Sequence, residues 1–254
     1  MIDTHSHIYS EEFDADRAEV IANAKAVGVE HIILVNVDRT TLESMRELVI
    51  RYPECCQMAV GLHPTSVTAN YADEMNSVAA ELKRGDYCAI GEIGIDLYWD
   101  ETFKQEQIHV FETQLQWAID YDLPVIIHTR KAFAEVFASL SKFKGLGLRG
   151  VFHCFGGGIE EAKKAVSLGF FLGIGGVVTY KNSNLSDILL QIGVEHLLLE
   201  TDAPYLPPVP YRGKRNEPKF LVEIAQKLAL VFQLPVGKID EITTNNAKRL
   251  FNIR

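Results

Sequence analysis

The sequence predicts a (β/α)8 barrel, in which eight parallel strands alternate with helices. Short apolar runs alternate with segments of helical periodicity along all 254 residues. No GxGxxG loop follows the first predicted strand, which weakens the competing doubly wound open sheet. No linker, repeat or low-complexity tract divides the chain, and about 250 residues is typical of such a barrel. We therefore expect one barrel domain spanning residues 1–254, with an additional C-terminal helix.

The strands are predicted from short runs of apolar and β-branched residues. In chain order they are Ile2–His5, His31–Val37, Gln57–Leu62, Tyr87–Gly91, Pro124–His128, Gly150–Cys154, Phe170–Ile174 and His196–Thr201. Helices are predicted between them, where apolar residues recur on one helical face. These are Asp14–Val27, Thr40–Arg51, Asp73–Arg84, Glu101–Tyr121, Arg130–Ser141, Ile159–Leu168 and Asn184–Ile192, followed by a closing pair, Pro218–Phe232 and Val236–Phe251.

Composition and charge limit the classes of function. The net charge of −9 argues against a protein that coats nucleic acid through a broad basic face, but not against an enzyme with a local pocket for one strand end. The four cysteines form no CxxC pair and no disulfide framework, which favours a reducing compartment. No apolar run reaches the ~18 residues of a membrane span, and no signal-peptide pattern opens the chain. We expect a cytoplasmic protein without membrane contact, monomeric and without an obligate protein partner.

Most of the histidines fall where the predicted strands end. The C-terminal ends of barrel strands build the active site, and seven residues lie there: His5, His7, His63, Glu92, His128, His153 and Asp202. The other three histidines lie at strand starts or within a helix. A single histidine of this kind is more often structural, but five beside two carboxylates favour a metal site. His5 and His7 stand two residues apart, so an extended strand end directs both imidazoles to the same face.

Six short motifs carry a resemblance to a known family. They are Asp3-Thr-His5-Ser-His7, Gly61-Leu-His63-Pro64, Gly91-Glu92-Ile-Gly94-Ile-Asp96, Pro124-Val-Ile-Ile-His128-Thr-Arg130, His153-Cys-Phe-Gly156 and Glu200-Thr-Asp202-Ala-Pro204-Tyr. In this order they resemble the TatD family of metal-dependent deoxyribonucleases. One residue departs from the pattern: relatives commonly carry Ser where this chain has Gly156.

The resemblance implies a site for two divalent metal ions. One ion would take His5, His7, Glu92 and Asp202, and the other would take Glu92, His128 and His153. Glu92 would bridge the two, because two nearby cations need an anionic group between them. Four imidazoles and two carboxylates suit Zn²⁺, Mn²⁺ or Fe better than Mg²⁺, whereas family members are usually assayed with Mg²⁺ or Mn²⁺. The identity of the metal therefore stays open.

The resemblance also implies hydrolysis of phosphodiester bonds at DNA strand ends, as an exonuclease. We expect water activated by the metals as hydroxide, with Asp202 orienting it and accepting its proton. His63 would contact a phosphate oxygen or the leaving group; the alternative is a packed histidine held by Pro64. Arg130 would contact phosphate or form a salt bridge at a helix N-terminus. Glu200 is expected to orient a metal ligand, and Asp96 to do the same or to face the substrate.

A basic stretch follows the last predicted strand. Arg212, Lys214 and Asn216 belong to the irregular loop Ala203–Pro218, and taken alone they would be read as part of a solvated loop. Their place after the eighth strand favours contact with the substrate's phosphates. Three aromatic residues could either stack on bases or pack within their loops: Tyr98, Trp99 and Tyr205.

The residues leave one rival enzyme class open. The same metal centre could serve an amidohydrolase-type esterase, amidase or lactonase, or an enzyme that deacylates aminoacyl-tRNA. A non-catalytic metal-binding scaffold would need no complete ligand set, so the sequence argues against it.

Overall fold

Eight parallel strands pair in chain order and form the predicted barrel. The computed structural model describes residues 1–253. Each strand pairs with the next along the chain, and a parallel bridge between Ser6 and Ala203 joins the last strand's loop to the first strand. The strands are β1 (Ile2–Ser6), β2 (His31–Val35), β3 (Cys56–Val60), β4 (Ala89–Asp96), β5 (Val125–Arg130), β6 (Gly150–Phe152), β7 (Phe170–Ile174) and β8 (Leu197–Leu199).

Seven of the eight strands differ from their predicted bounds by up to five residues at one or both ends, and β7 matches; two of the differences have an identifiable reason. The predicted fourth strand ends at Gly91, but β4 continues to Asp96 because it keeps pairing with β5. Glycines and carboxylates interrupt its apolar pattern, so periodicity alone could not detect the extension. The predicted eighth strand reaches Thr201, but β8 ends at Leu199, because the Thr201 amide donates to the Asp3 carboxylate and not to a strand carbonyl.

Nine α-helices occur in residues 1–253. They are α1 (Arg17–Ala26), α2 (Leu42–Arg51), α3 (Tyr71–Arg84), α4 (Lys104–Asp120), α5 (Phe133–Lys142), α6 (Ile159–Ser167), α7 (Leu185–Ile192), α8 (Leu221–Phe232) and α9 (Val236–Phe251). The predicted helix Pro218–Phe232 starts later, because residues 218–220 form a 3-10 turn. Within this part of the chain, no single helix is long and apolar enough to cross a membrane; the bent pair of residues 218–232 and 236–251 passes by length and composition only.

Apolar side chains fill the barrel and leave one end open. Ile33, Val35 and Ile126 are buried in the interior, and Leu250 and Phe251 of α9 pack against the same interior cluster. A second layer of buried side chains lies between the sheet and the helices. Leu250 and Phe251 lie beside the strand starts, and because all eight strands are parallel, their polar C-terminal ends collect at the opposite end of the barrel.

Buried hydrogen bonds join the chain after β8 to β1. The Asp202 amide donates to the His5 carbonyl at 2.9 Å, and the His7 amide donates to the Ala203 carbonyl at 2.7 Å. The Asp3 carboxylate accepts from the Thr201 amide and hydroxyl at 2.9 and 2.6 Å. Closure of the barrel therefore brings Asp202 beside the two N-terminal histidines.

Candidate metal centre

The strand ends bring the predicted histidines and carboxylates into one cluster. His5, Glu92 and His128 belong to β1, β4 and β5. His7, His153 and Asp202 lie just beyond β1, β6 and β8. We call these six residues the central cluster.

One group of side-chain donors forms around His5. Its Nε2 lies 3.1 Å from His7 Nε2 and 3.3 Å from Glu92 Oε2. Asp202 Oδ1 lies 3.7 Å from His5 Nε2 and 3.5 Å from His7 Nε2. His5 and Glu92 are almost fully buried. His5, His7 and Glu92 thus offer ligand atoms close enough to hold one ion, and His5 and Asp202 form a second such group with His153.

A second group forms around the other oxygen of Glu92. Its Oε1 lies 2.9 Å from His128 Nδ1, 3.6 Å from His63 Nε2 and 3.8 Å from His153 Nε2. Burial alone would raise the pKa of the Glu92 carboxyl, but the surrounding histidines hold it well below its usual range. Glu92 is therefore a carboxylate whose two oxygens face different sets of imidazoles.

Tyr9 fixes the proton of His7. The Tyr9 hydroxyl donates to the Val35 carbonyl at 2.8 Å, so its oxygen must accept at the 2.7 Å contact with His7 Nδ1. His7 Nδ1 then carries the proton, and in the neutral ring Nε2 presents its lone pair to the cluster. This is the arrangement that a histidine needs to bind a cation.

His128 lies between two carboxylates. Its Nδ1 is 2.9 Å from Glu92 Oε1 and its Nε2 is 2.9 Å from Asp96 Oδ2. Burial opposes a charge on this ring, but the hydrogen bonds to Asp96 and Glu92 raise the pKa of His128 to about 9. The contact places Asp96 where a residue that orients His128 would lie.

His153 has a similar carboxylate beside it. Its Nδ1 lies 2.9 Å from Glu200 Oε1, which also accepts from the Cys154 amide. Burial works against protonation, but Glu200, Glu92 and Asp202 raise the pKa of His153 to about 10. A Cβ on Gly173 would lie 2.2 Å from Glu200 Oε2, so a glycine in β7 makes room for this buried carboxylate.

His63 lies at the edge of the central cluster. Its Nδ1 accepts from the Thr65 amide at 3.2 Å, so the neutral ring carries its proton on Nε2, which points towards Glu92. Burial lowers the pKa of His63, which keeps the ring neutral near pH 7. His63 can therefore donate one hydrogen bond towards the cluster.

The donor set fits divalent cations. The nitrogens His5 Nε2 and His7 Nε2 lie 3.1 Å apart, and the proton of His7 is held on the far side of its ring. Burial lowers the pKa of His5, which favours the neutral imidazole that binds metals. Ligand atoms close enough to share an ion come from His5, His7 and Glu92, from His63, Glu92 and His128, and from His5, His153 and Asp202. The chemistry suits Zn²⁺ or Mn²⁺.

The cluster opens into a cavity of about 480 Å³, lined by His128, Arg130, His153, Asp202 and Tyr205 among others. We call it the cluster cavity. Arg130 is exposed there, and its guanidinium lies 3.7 Å from the ring centre of Tyr98 and 5.2 Å from that of Trp99. A cation supported by two exposed aromatic rings thus borders the cluster.

The structure separates the three polar residues of the basic stretch. Arg212 borders a neighbouring cavity, and Lys214 borders a surface hollow that shares no lining residue with the cluster cavity. The phosphate contact predicted for Asn216 is wrong for this conformation, because its side chain is fully buried. Its amide nitrogen donates to the carbonyls of Thr201 and Tyr205 at 2.7 and 2.6 Å. Asn216 therefore anchors the loop after β8.

Sequence reasoning missed two supporting residues. Tyr9 stands two residues beyond His7, so continued alternation along the chain was a signal that could have found it. Gln114 of α4 is fully buried, and its amide accepts from the Leu62 amide at 2.7 Å and donates to the Leu62 carbonyl at 3.2 Å. It thereby holds the segment that carries His63.

Comparisons with known proteins bear on the family and the fold of this chain. The family model "TatD related DNase" matches residues 2–252. A Bacillus subtilis (strain 168) protein named uncharacterized metal-dependent hydrolase YabD is 37% identical, over 100% of this chain and 99% of its own length. The Citrobacter rodentium (strain ICC168) protein named 3'-5' ssDNA/RNA exonuclease TatD is 33% identical, over 100% and 98%. The crystal structure of the TatD homolog YJJV from Escherichia coli K12 has a TM-score of 0.94 and 30% identity, covering 100% of this chain and 98% of that one.

Proposed function

From the premise that this chain belongs to the TatD-related DNase family of metal-dependent hydrolases, we propose that it hydrolyses phosphodiester bonds at the ends of DNA strands. The relative from Citrobacter rodentium is named a 3'-5' exonuclease for single-stranded DNA and RNA, which supports this choice of substrate. The family model covers almost the whole chain and makes the protein a metal-dependent hydrolase. We add that the bond it hydrolyses is a phosphodiester.

The observation that carries the proposal is the division of the two Glu92 oxygens. Oε2 faces His5, and Oε1 faces His128, His63 and His153. We assign a first ion to His5, His7, Glu92 and Asp202, and a second ion to Glu92, His128 and His153. When bound, two divalent ions lower the pKa of water and neutralise charge on a phosphodiester.

Asp202 is the residue in this arrangement that would orient and deprotonate the attacking water. Burial would raise the pKa of Asp202, but the histidines around it lower the pKa below its ordinary value, so the group is a carboxylate near neutral pH. It borders the cluster cavity, where a substrate would enter. A carboxylate held there can accept a proton as the water attacks phosphorus.

His63 and Arg130 would bind the phosphodiester. The Nε2–H of neutral His63 is available to donate to a phosphate oxygen or to the leaving oxygen. Arg130 lines the cluster cavity and pairs with no carboxylate within 4.0 Å in residues 1–253. A guanidinium can donate two parallel hydrogen bonds to one phosphate.

The test is cleavage of end-labelled single-stranded DNA by protein stripped of metal and reloaded with Mg²⁺, Mn²⁺ or Zn²⁺. We expect mononucleotides to be released in the presence of at least one metal. Glu92→Gln should reduce the rate by at least about 100-fold, because it removes the negative charge that would help to hold both ions. Glu160→Gln, on the exposed surface of α6, is the matched control. If the protein cleaves no DNA with any of the three metals but hydrolyses esters or lactones, the proposed nuclease function is wrong. The protein would then be an amidohydrolase-type esterase or lactonase.

A further inference from the structure

A second cavity lies beside the cluster cavity and meets it at Gly156. Its volume is about 600 Å³, which is enough for a nucleotide-sized ligand. The loops after β6, β7 and β8 contribute Gly156, Gly157, Tyr180, Lys181, Asn184 and Arg212 to its lining. We call it the side cavity. Gly156 lines both cavities, so a chain that occupies one can continue into the other.

The side cavity is cationic in a strongly acidic protein. Lys181 and Arg212 line it, no Asp or Glu does, and the chain as a whole has a net charge of −9. Neither cation forms an ion pair with a carboxylate within residues 1–253. Both are exposed. An anion that entered would meet two charges that no protein group neutralises.

An aromatic ring holds one of these cations in position. The Arg212 guanidinium lies 4.0 Å from the ring centre of Tyr180, whose hydroxyl donates to the Pro207 carbonyl at 3.0 Å. The ring is thus tied to the loop that follows β8. Such stacking leaves the edge of the guanidinium free to donate to phosphate.

Glycine at position 156 keeps the junction between the cavities wide. A Cβ added at Gly156 would meet only the Cys154 carbonyl oxygen, at 3.8 Å, so a side chain would fit there. At Gly157 an added Cβ would lie 2.8 Å from Phe133 Cζ, so packing excludes a side chain. Packing therefore explains Gly157, whereas Gly156 stays free to be substituted.

We propose that the side cavity binds a nucleotide adjacent to the one being cleaved, with Lys181 and Arg212 on its phosphate and Gly156 as the open passage. This inference rests on the proposed phosphodiesterase function. It adds that the DNA strand beyond the cleaved nucleotide lies in the side cavity. It makes the protein an enzyme for polynucleotides and a poor one for small phosphodiesters.

The first experiment measures binding in EDTA, without catalysis, by fluorescence polarisation of a labelled single-stranded hexanucleotide. The double variant Lys181→Gln/Arg212→Gln should weaken binding by about tenfold. It should also reduce the slope of log K against log salt by about 0.7 to 1.4, since one phosphate contact on a single strand contributes about 0.7. The control Lys163→Gln removes an exposed lysine of α6 and should leave both quantities unchanged. Equal affinity and equal salt slope in the double variant and the wild type would overturn the proposal.

The second experiment compares kcat/KM for the hexanucleotide and for bis(p-nitrophenyl) phosphate. Gly156→Leu should lower the ratio of the two values by about tenfold, through KM for the hexanucleotide, whereas Gly156→Ser should lower it much less. If the ratio of the two kcat/KM values is unchanged in Gly156→Leu, the strand does not pass from one cavity to the other at Gly156. Wild-type protein that cleaves neither substrate would overturn the proposed function, and the binding experiment would still decide whether the side cavity takes a polynucleotide.

Discussion

The contact between Tyr9 and His7 gives the sharpest test of the metal centre. Tyr9→Phe removes one hydroxyl and keeps the ring, so packing is preserved. His7 Nδ1 then loses its acceptor in a buried position, and nothing fixes which nitrogen carries the proton. Partners of this kind typically change metal affinity by about 10- to 100-fold, or about 1.4 to 2.8 kcal/mol.

The assay is titration of metal-free protein with Mn²⁺ or Zn²⁺ by isothermal calorimetry. Tyr205→Phe is the matched control, because the Tyr205 ring also lies beside His7, at 6.0 Å between ring centres, and no hydrogen bond to its hydroxyl occurs within residues 1–253. We expect a loss of affinity in Tyr9→Phe alone. Metal affinities within about twofold of wild type in both variants would refute the argument that Tyr9 sets the proton of His7.

Three further predictions concern the same framework. First, metal binding to the stripped protein should release protons and should strengthen from pH 7 towards pH 9. The pKa values of His128 and His153, about 9 and about 10, keep both rings protonated until the metal displaces the protons. Calorimetry in buffers of different ionisation enthalpy measures the proton release, and metal affinity that does not change with pH would contradict the prediction. Second, Gln114→Met should lower the free energy of unfolding by about 1 to 3 kcal/mol in urea titrations, because the buried amide and carbonyl of Leu62 lose their partner. An unchanged urea midpoint would show that the hydrogen bonds of Gln114 to Leu62 add no stability. Third, Trp99→Ala should raise KM for single-stranded DNA and abolish the quenching of tryptophan fluorescence by oligonucleotides. Trp99 is 72% exposed beside Arg130, where a base can stack on its ring. Quenching that persists in the variant would place the stacking site elsewhere.

Much of the fold could be predicted from the sequence because barrel strands are buried runs of regular length. The family and the barrel are confirmed by the matching model and by the structure of the relative from Escherichia coli. Apolar periodicity failed to predict strand residues where functional carboxylates interrupt the apolar run. Glu92 and Asp96 lie inside β4, and apolar periodicity assigned neither of them to that strand.

The candidate site was predictable as a set of residues, and its details were not. Counting along the chain placed His5, His128 and Asp202 at the same end of the barrel. It could not show that Asn216 is buried under the loop after β8, or that Lys214 and Arg212 border different cavities. The course of a long loop depends on contacts with distant segments, which local sequence does not encode.

The sequence by itself determined the barrel, the family and the end of the barrel at which the histidines gather, because strand periodicity fixes which residues leave a strand at its terminus. Only the tertiary structure decided how the two oxygens of Glu92 are divided and which side of His7 carries the proton. It also placed Asp202 against His5 through a backbone with φ of +59°, a conformation that non-glycine residues rarely adopt. The physical reason is closure of the barrel: hydrogen bonds between residues about 200 positions apart along the chain set these atoms, and no local pattern records them.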